Sequence, residues 1–440
     1  MLGRARELFG GEWMRRVAVL GGGLYRPDRV RYEVAEEGVA MAYRQMLEAI
    51  PNLDPMDIDF VQSSYFSDHL NQQLCMAWIV QDYIGLHRKG GFRVEAGGST
   101  PLDALINAYF LIKSGHYNLI AVLGWEWMSE VDTATTNEFI ASASDTDWDF
   151  TVGGYYNGYY AALETRHMQL YGESIEDLGR IAVKNRNNAV HNPYSQWRSE
   201  HGTSYVTLDD YYNDRIIAWP YRRWNCALIS EGACCLLLGS EEVAGRYTDH
   251  PMWITGVGLG TDSMRPGDRL ANWAYHGAHK GDEKIYPEGF PKPLTPYPEM
   301  ANFGFAREAA RQAYAQAGIT DPVKQIDFCE LFAPYDGVEL CLYEDLMFCP
   351  RGEGKTLVRQ GVTERGGDLP CQLSGGLTAF AHPVGATSLL QTLFCYWQLA
   401  GLIPEKFGDP TLQLANPRRA LMTGHGGTGC QGGVIIYSKD

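Results

Sequence analysis

Hydrophobic positions change period twice within residues 91–129, GFRVEAGGSTPLDALINAYFLIKSGHYNLIAVLGWEWMS. Residues 92–96 alternate as a strand does, Gly97 and Gly98 permit a sharp turn, and Thr100-Pro101 places proline at the first position of a helix. Leu102, Leu105, Ile106, Tyr109 and Ile112 recur at helical spacing up to Ser114-Gly115, and residues 119–123 form an apolar run of buried-strand type. Thr100 with Asp103 three residues on has the pattern of a capping box, and Ser99 beside them reads as a capping residue. A helix that starts directly after a strand aims unpaired N–H groups and the positive end of its dipole into the turn. Residues 97–100 are therefore expected to border an anionic or nucleophilic centre.

The same succession returns later in the chain. An opening strand at 15–23, an amphipathic helix at 33–50 and a strand entered through 56–61 have counterparts in a helix at 303–317 and a strand at 324–328. The segments MDIDFVQSSYFSD and KQIDFCELFAPYD end alike, and paired glycines recur at Gly375-Gly376. This pattern predicts an α/β protein made of two fused similar repeats, 1–250 and 251–440, each bringing one helix to a shared middle. Between elements of the first repeat, residues 125–220 form an excursion long enough to cover a site. Its tyrosines Tyr155, Tyr156, Tyr159 and Tyr160 suit cap core or a dimer interface better than an acyl tunnel, and the acidic run 145–149 reads as a solvated turn. A second insertion, 262–300, carries His276 and His279, too few ligands for a metal site.

Composition narrows the function classes. A chain of 440 residues with 45% hydrophobic content can bury a large core. A formal charge of −16 argues against a nucleic-acid partner, and the apolar runs are too short to span a bilayer. Residues 1–16 hold arginines without an apolar signal core, which leads to a cytoplasmic expectation. The ten cysteines are scattered, two of them in the apolar run 233–238, with no CxxC pair, and are expected to be reduced, with no bound metal.

Three motifs carry a family resemblance. Residues 375–387, GGLTAFAHPVGAT, are close to the GG…GHPxGA(T/S) histidine motif of the thiolase superfamily. Residues 224–233, WNCALISEGA, resemble its CxxxSDGA segment, and residues 418–437 resemble its closing glycine-rich strand and turn. The similarity runs through nearly the whole chain and is strongest to the sterol-carrier-protein-x branch. It implies a thiolase fold, a five-layer αβαβα sandwich, with coenzyme A as part of an acyl-CoA substrate and no covalently bound cofactor. It also implies a homodimer and, as in many proteins of that branch, a small OB-fold partner carrying a zinc ribbon.

The catalytic positions depart from the family pattern. Counting back from Ser114-Gly115 puts the family's nucleophilic cysteine at Gly98. The Asn-Glu-Ala-Phe or His-Asp-Cys-Phe motif falls on residues 332–335, so Phe332 replaces a polar residue and Tyr335 replaces phenylalanine. The second cysteine falls near Gly424, followed by His425, Gly426 and Gly427, and of the usual set only His382 is kept. In the family this histidine activates the cysteine and helps to form an oxyanion hole. The second role is left to His382, and one preorganised donor is worth about 3 kcal/mol. Tyr335 is placed for acid–base work or for a structural hydrogen bond, His425 for moving the α-proton, and Glu330 and Asp336 flank the altered motif. Gly98 is expected to open room for a bulky substrate carbon, with Ser99, Phe332, Gly426 and Gly427 lining the substrate.

An oxyanion site without a nucleophile suits retro-aldol cleavage of a bulky β-hydroxyacyl-CoA. Superfamily members that cleave steroid side chains are thought to work this way and also lack the cysteine. Two other readings stand beside it. One is Claisen-type acyl transfer with an atypical nucleophile such as Ser99, with Cys75 and Cys430 further off; the other is a non-catalytic thiolase-like subunit of a heteromeric complex.

Overall fold

The computed structural model describes residues 15–153, 155–269 and 300–440. The chain runs from β1 (Val17–Asp28) through α1 (Ala35–Ala49), β2 (Phe60–Ser64), β3 (Gly90–Val94) and α2 (Thr100–Lys113) to β4 (Leu119–Glu126). A cap follows, with α3 (Thr133–Ala141), α4 (Tyr156–Tyr171), α5 (Ile175–Ala189) and a small hairpin of β5 (Ile216–Ala218) and β6 (Tyr221–Arg222). β7 (Glu231–Ser240) and β8 (Met252–Thr261) lead on to α6 (Gly304–Ala317), β9 (Phe328–Glu330) and α7 (Asp336–Asp345). The chain closes with α8 (Thr387–Ala400), β10 (Arg419–Gly426) and β11 (Gln431–Ser438).

Nine strands form one mixed sheet in the order β3-β2-β4-β7-β1-β8-β11-β10-β9. β2 is parallel to β3 and β4, whereas β7 is antiparallel to β4 and β1. The other half repeats this plan: β9 is parallel to β10, and β11 is antiparallel to β10 and β8. A parallel bridge between Cys329 and Cys371 stands where β3 stands in the first half. The halves join through β1 and β8, which pair only at Ala18–Trp253 and Val19–Met252.

Alternation along the strands builds the layers. Ile120 and Val122 of β4 and Ala420 and Met422 of β10 share one core with Leu105 of α2 and Leu389 and Leu393 of α8. Ala121 and Leu123 face the other way, onto Val39 and Met46 of α1, while Leu421 packs against Ala309 and Ala313 of α6. The order is therefore helix, sheet, paired central helices, sheet, helix, and the five-layer expectation holds. Both faces of each half-sheet are covered, which is why β4 and β7 read as apolar runs and are buried throughout. On the far side α6 lies directly on β8: a β-carbon on Gly258 would come 1.9 Å from the Ala309 carbonyl oxygen.

All ten cysteines are free thiols. Among the described residues no helix is long and apolar enough to cross a membrane, and no three His, Cys, Asp or Glu side chains are grouped to hold a metal. His276 and His279 lie outside the described residues.

Candidate active site

The turn from β3 into α2 is closed by Thr100, whose Oγ1 accepts from the Ala96 N–H (2.9 Å) and donates to the Gly97 carbonyl (2.6 Å). Gly97 adopts φ +58°, which glycine takes without steric cost. With its hydroxyl committed here, Thr100 forms no capping box with Asp103. The Asp103 carboxylate instead accepts from Gln431 Nε2 at 2.9 and 3.1 Å. Ser99 is the residue before the helix, but its side chain makes no cap hydrogen bond. Its Oγ is buried without a hydrogen-bond partner, and the residue is 0% exposed. The expected capping role of Ser99 is thus corrected: the hydroxyl makes no cap and faces the interior, beside the Asp103 carboxyl.

Gly98 also differs from expectation. A β-carbon there would lie 2.8 Å from the His425 carbonyl oxygen and 3.3 Å from Phe332 Cζ. The space gained by removing a side chain is filled by this ring and this carbonyl, so no room is opened for a substrate carbon.

Phe332, just beyond β9, stands between two imidazoles. Its ring meets His382 edge-on at 5.3 Å and 80°, and His425 at 5.0 Å and 68°. Its N–H donates to Thr423 Oγ1 (2.8 Å), which ties the loop to β10. His382 sits on the loop before α8, with its N–H donated to Ser230 Oγ at 2.9 Å. Its Nδ1 lies 2.9 Å from Thr387 Oγ1, and that hydroxyl donates to the Pro383 carbonyl at 2.9 Å. A hydroxyl has one proton to give, so this network assigns the imidazole proton to Nδ1 and leaves a lone pair on Nε2. His425, buried at the end of β10, has Nε2 2.8 Å from Tyr160 Oη. With the phenol assigned as donor in this pair, the His425 proton is on Nδ1.

Burial pushes both histidines down to about 3, and for His425 the neighbouring Arg269 and His382 add to the effect. Two neutral rings therefore flank Phe332 with opposite free atoms: an acceptor on His382 and a donor on His425. The donor role expected of His382 does not suit this tautomer, in which Nε2 is an acceptor.

Tyr335 is one ring further out than expected. It is sandwiched between Tyr160 (4.8 Å, 29°) and Tyr221 (5.2 Å, 22°), and its hydroxyl donates to Asn157 Oδ1 at 2.6 Å. Burial holds the phenol protonated. Tyr160 of α4, read from sequence only as part of a cap cluster, is the tyrosine whose hydroxyl meets His425. No sequence signal marks it, because its partner is 265 residues away. Glu330 and Asp336 are scaffold. Glu330 accepts from the Ser374 N–H (2.9 Å) and Oγ (2.6 Å), and Asp336 accepts from Asn225 Nδ2 (2.9 Å) and Thr378 Oγ1 (3.2 Å).

Gly426 and Gly427, with Ala96 and Gly97, line a cavity of about 920 Å³. Phe66, Phe139, Met264 and Cys430 supply more of its wall, and the Arg93–Asp68 ion pair (2.9 Å) borders it. Phe332 and His382 do not line this cavity. Of the residues singled out in the sequence, the fold gathers Gly98, Phe332, His382 and His425, puts Gly426 and Gly427 on the cavity side of the turn, and leaves Ser99 and Tyr335 outside the centre. Cys75 is exposed.

The chain is similar to several known proteins. The thiolase C-terminal domain-like family matches residues 294–439. The chain is 28% identical to an acetyl-CoA acetyltransferase of Methanothermobacter thermautotrophicus over 390 residues, 88% of this chain and 89% of that protein. It is 30% identical to human sterol carrier protein 2 over 317 residues, 70% of this chain and 51% of that protein. Among solved structures, the Ltp2-ChsH2(DUF35) aldolase superposes with a TM-score of 0.74 at 21% identity, over 97% of this chain and 99% of that chain.

Proposed function

We propose that the chain is a thiolase-superfamily protein that cleaves a carbon–carbon bond in a bulky β-hydroxyacyl-CoA by a retro-aldol route. The observation that carries this reading is the pair of neutral imidazoles with opposite free atoms on either side of Phe332. His382 Nε2 takes the β-hydroxyl proton as the carbonyl forms. The Cα–Cβ bond then breaks, and its electrons pass into the thioester as an enolate. His425 Nδ1–H hydrogen-bonds the enolate oxygen, held in that tautomer by Tyr160. The proton on His382 returns to Cα, giving an aldehyde or ketone and a shortened acyl-CoA. No bond to the protein forms and no free CoA is consumed, in keeping with glycine at 98 and the buried Ser99 hydroxyl. The aldolase named above lends support by fold analogy.

The acetyltransferase relatives favour a second reading, Claisen-type acyl transfer, for which Cys430 is the thiol on the cavity wall. The quaternary proposal follows the resemblance: a homodimer joined by a small OB-fold, zinc-ribbon partner, in the cytoplasm, with repeat units 1–250 and 251–440. The compound name of the aldolase, which couples two proteins, supports the partner.

The deciding experiment is turnover of β-hydroxyacyl-CoA and β-ketoacyl-CoA thioesters followed by mass spectrometry, with and without free CoA. Carbonyl release from the hydroxy substrates without CoA, lost in His382→Ala, is expected. Cleavage of keto substrates alone, dependent on CoA and accompanied by an acylated protein mass, overturns the lyase reading.

A further inference from the structure

The His382 loop belongs to the second half of the chain, yet it is held largely by the first. Gly385, three residues after His382, has both backbone groups bonded across the molecule: its N–H donates to Glu126 Oε2 (3.0 Å), and its carbonyl accepts from Ser64 Oγ (2.6 Å). The same Glu126 oxygen accepts from the Phe66 N–H at 2.7 Å. One carboxyl oxygen at the end of β4 therefore ties the loop that bears His382 to the loop that leaves β2. Apolar packing follows the same line, with Val384 in one cluster with Phe66, Leu70 and Met128. The fit is close: a β-carbon on Gly385 would meet the Trp125 carbonyl oxygen and Tyr65 Cα at 2.4 Å and Glu126 Oε2 at 3.0 Å.

We propose that Glu126 is a positioning residue for His382, its carboxyl clamping the backbone of the histidine loop to the Phe66 loop and taking no part in proton transfer. The inference rests on His382 being a working base in the reaction proposed above. Three observations support it. Glu126 is 0% exposed, so it meets neither solvent nor substrate. Its Oε2 accepts from two backbone donors, the nearby Ser67 N–H acts on the carboxyl more weakly, and its other oxygen, Oε1, is buried with no partner at hydrogen-bond distance. Burial pushes the carboxyl up to about 8, so near neutrality it is mainly the neutral acid. A neutral acid with the proton on Oε1 presents Oε2 as a carbonyl to two N–H groups. A glutamine presents the same carbonyl, which separates clamping from acid–base work.

The test compares Glu126→Gln, Glu126→Ala and Glu126→Met in the full chain, with Glu126→Met filling the same volume without an acceptor in case Glu126→Ala does not fold. Hydrogen exchange followed by mass spectrometry, which needs no substrate, should show faster exchange in peptides holding Phe66 and Gly385 for the alanine or methionine variant and wild-type exchange for glutamine. Turnover should split the same way: kcat about 100-fold lower without the acceptor and KM within about twofold, as for a displaced catalytic group, against full rescue by glutamine. Glu126→Gln as inactive as Glu126→Ala, or exchange at Gly385 unchanged without the acceptor, overturns the proposal. Failure of the wild-type protein to cleave any hydroxyacyl thioester counts against the lyase reading, and the exchange result still decides the clamp.

Discussion

The chain leaves β2 through Tyr65-Phe66 and leaves β9 through Leu331-Phe332, at matching places in the two sheet halves. The first loop is an anchor. Arg93 donates to the Tyr65 and Phe66 carbonyls and pairs with Asp68, and Glu126 takes the Phe66 N–H. The second loop carries the aromatic ring that separates two imidazoles. Both halves follow the same strand order, but His382, His425 and Phe332 all belong to the second, and the first supplies Ser64, Glu126 and Ser230, with Tyr160 from its cap, to hold them beside Thr387 and Thr423 of the second. The two halves of a duplicated fold thus differ in use: the candidate side chains lie in one, and the other contributes much of what fixes their geometry.

Removing either imidazole should break this division most sharply. His382→Ala and His425→Ala are each expected to lower kcat by about 10³-fold, within the range for loss of a general acid or base or a preorganised donor. Steady-state kinetics on a cleaved hydroxyacyl thioester checks it, and a loss below tenfold in either would place the chemistry elsewhere. A finer contrast lies between the stacked tyrosines. Tyr160→Phe removes the donor that fixes the His425 tautomer and should cost about 10-fold to 100-fold in kcat, whereas Tyr335→Phe, which loses only its bond to Asn157, should stay within about threefold. Equal effects would mean that the aromatic stack, not the hydroxyl on His425, is what matters.

Stability offers smaller effects. Gly98→Ala pushes a methyl against the His425 carbonyl and Phe332, and should cost about 1–3 kcal/mol in urea denaturation, typical of overpacking. An unchanged midpoint would show that the site gives way easily. The pH dependence is a further handle. Burial raises Glu126 to about 8, and Glu330 and Asp336 to about 7. Such groups bind protons in the folded chain that the unfolded chain has released, so their stabilisation is full below about pH 4, the ordinary carboxyl range, and is lost progressively as pH rises to 7 to 8. The depressed histidines act in the opposite sense: the unfolded state takes up protons below about 6.5 while His382 and His425 stay neutral to about 3, so stability falls through that acid window. The two trends predict a higher melting temperature at pH 5.5 to 6 than at pH 8.5, a difference that Glu126→Gln should shrink. A flat profile on the alkaline side would remove the basis for a neutral Glu126.

Much of the fold could be read in the sequence, because periodicity reports which face of an element is buried. The apolar runs at 119–123 and 233–238, the glycine turn before α2 and the echo between residues 56–68 and 324–336 all correspond to observed elements. The centre was legible where a motif fixed position, at Gly98, Phe332, His382 and His425. What escaped was direction. Whether Ser99 faces in or out depends on Thr100 closing the turn first. The protonated nitrogen of His382 depends on a hydroxyl five residues on, and the tyrosine that meets His425 comes from the cap. These are contacts across the fold, and no local pattern records them.

The packing around Gly98 also limits what can be engineered there. A cysteine introduced here would bring its β-carbon to 2.8 Å from a main-chain oxygen, which no mutation can trim, and to 3.3 Å from the Phe332 ring. A thiol at this position thus calls for a smaller residue at 332 and a shifted strand end at 425 before the sulfur arrives, and neither change on its own brings one.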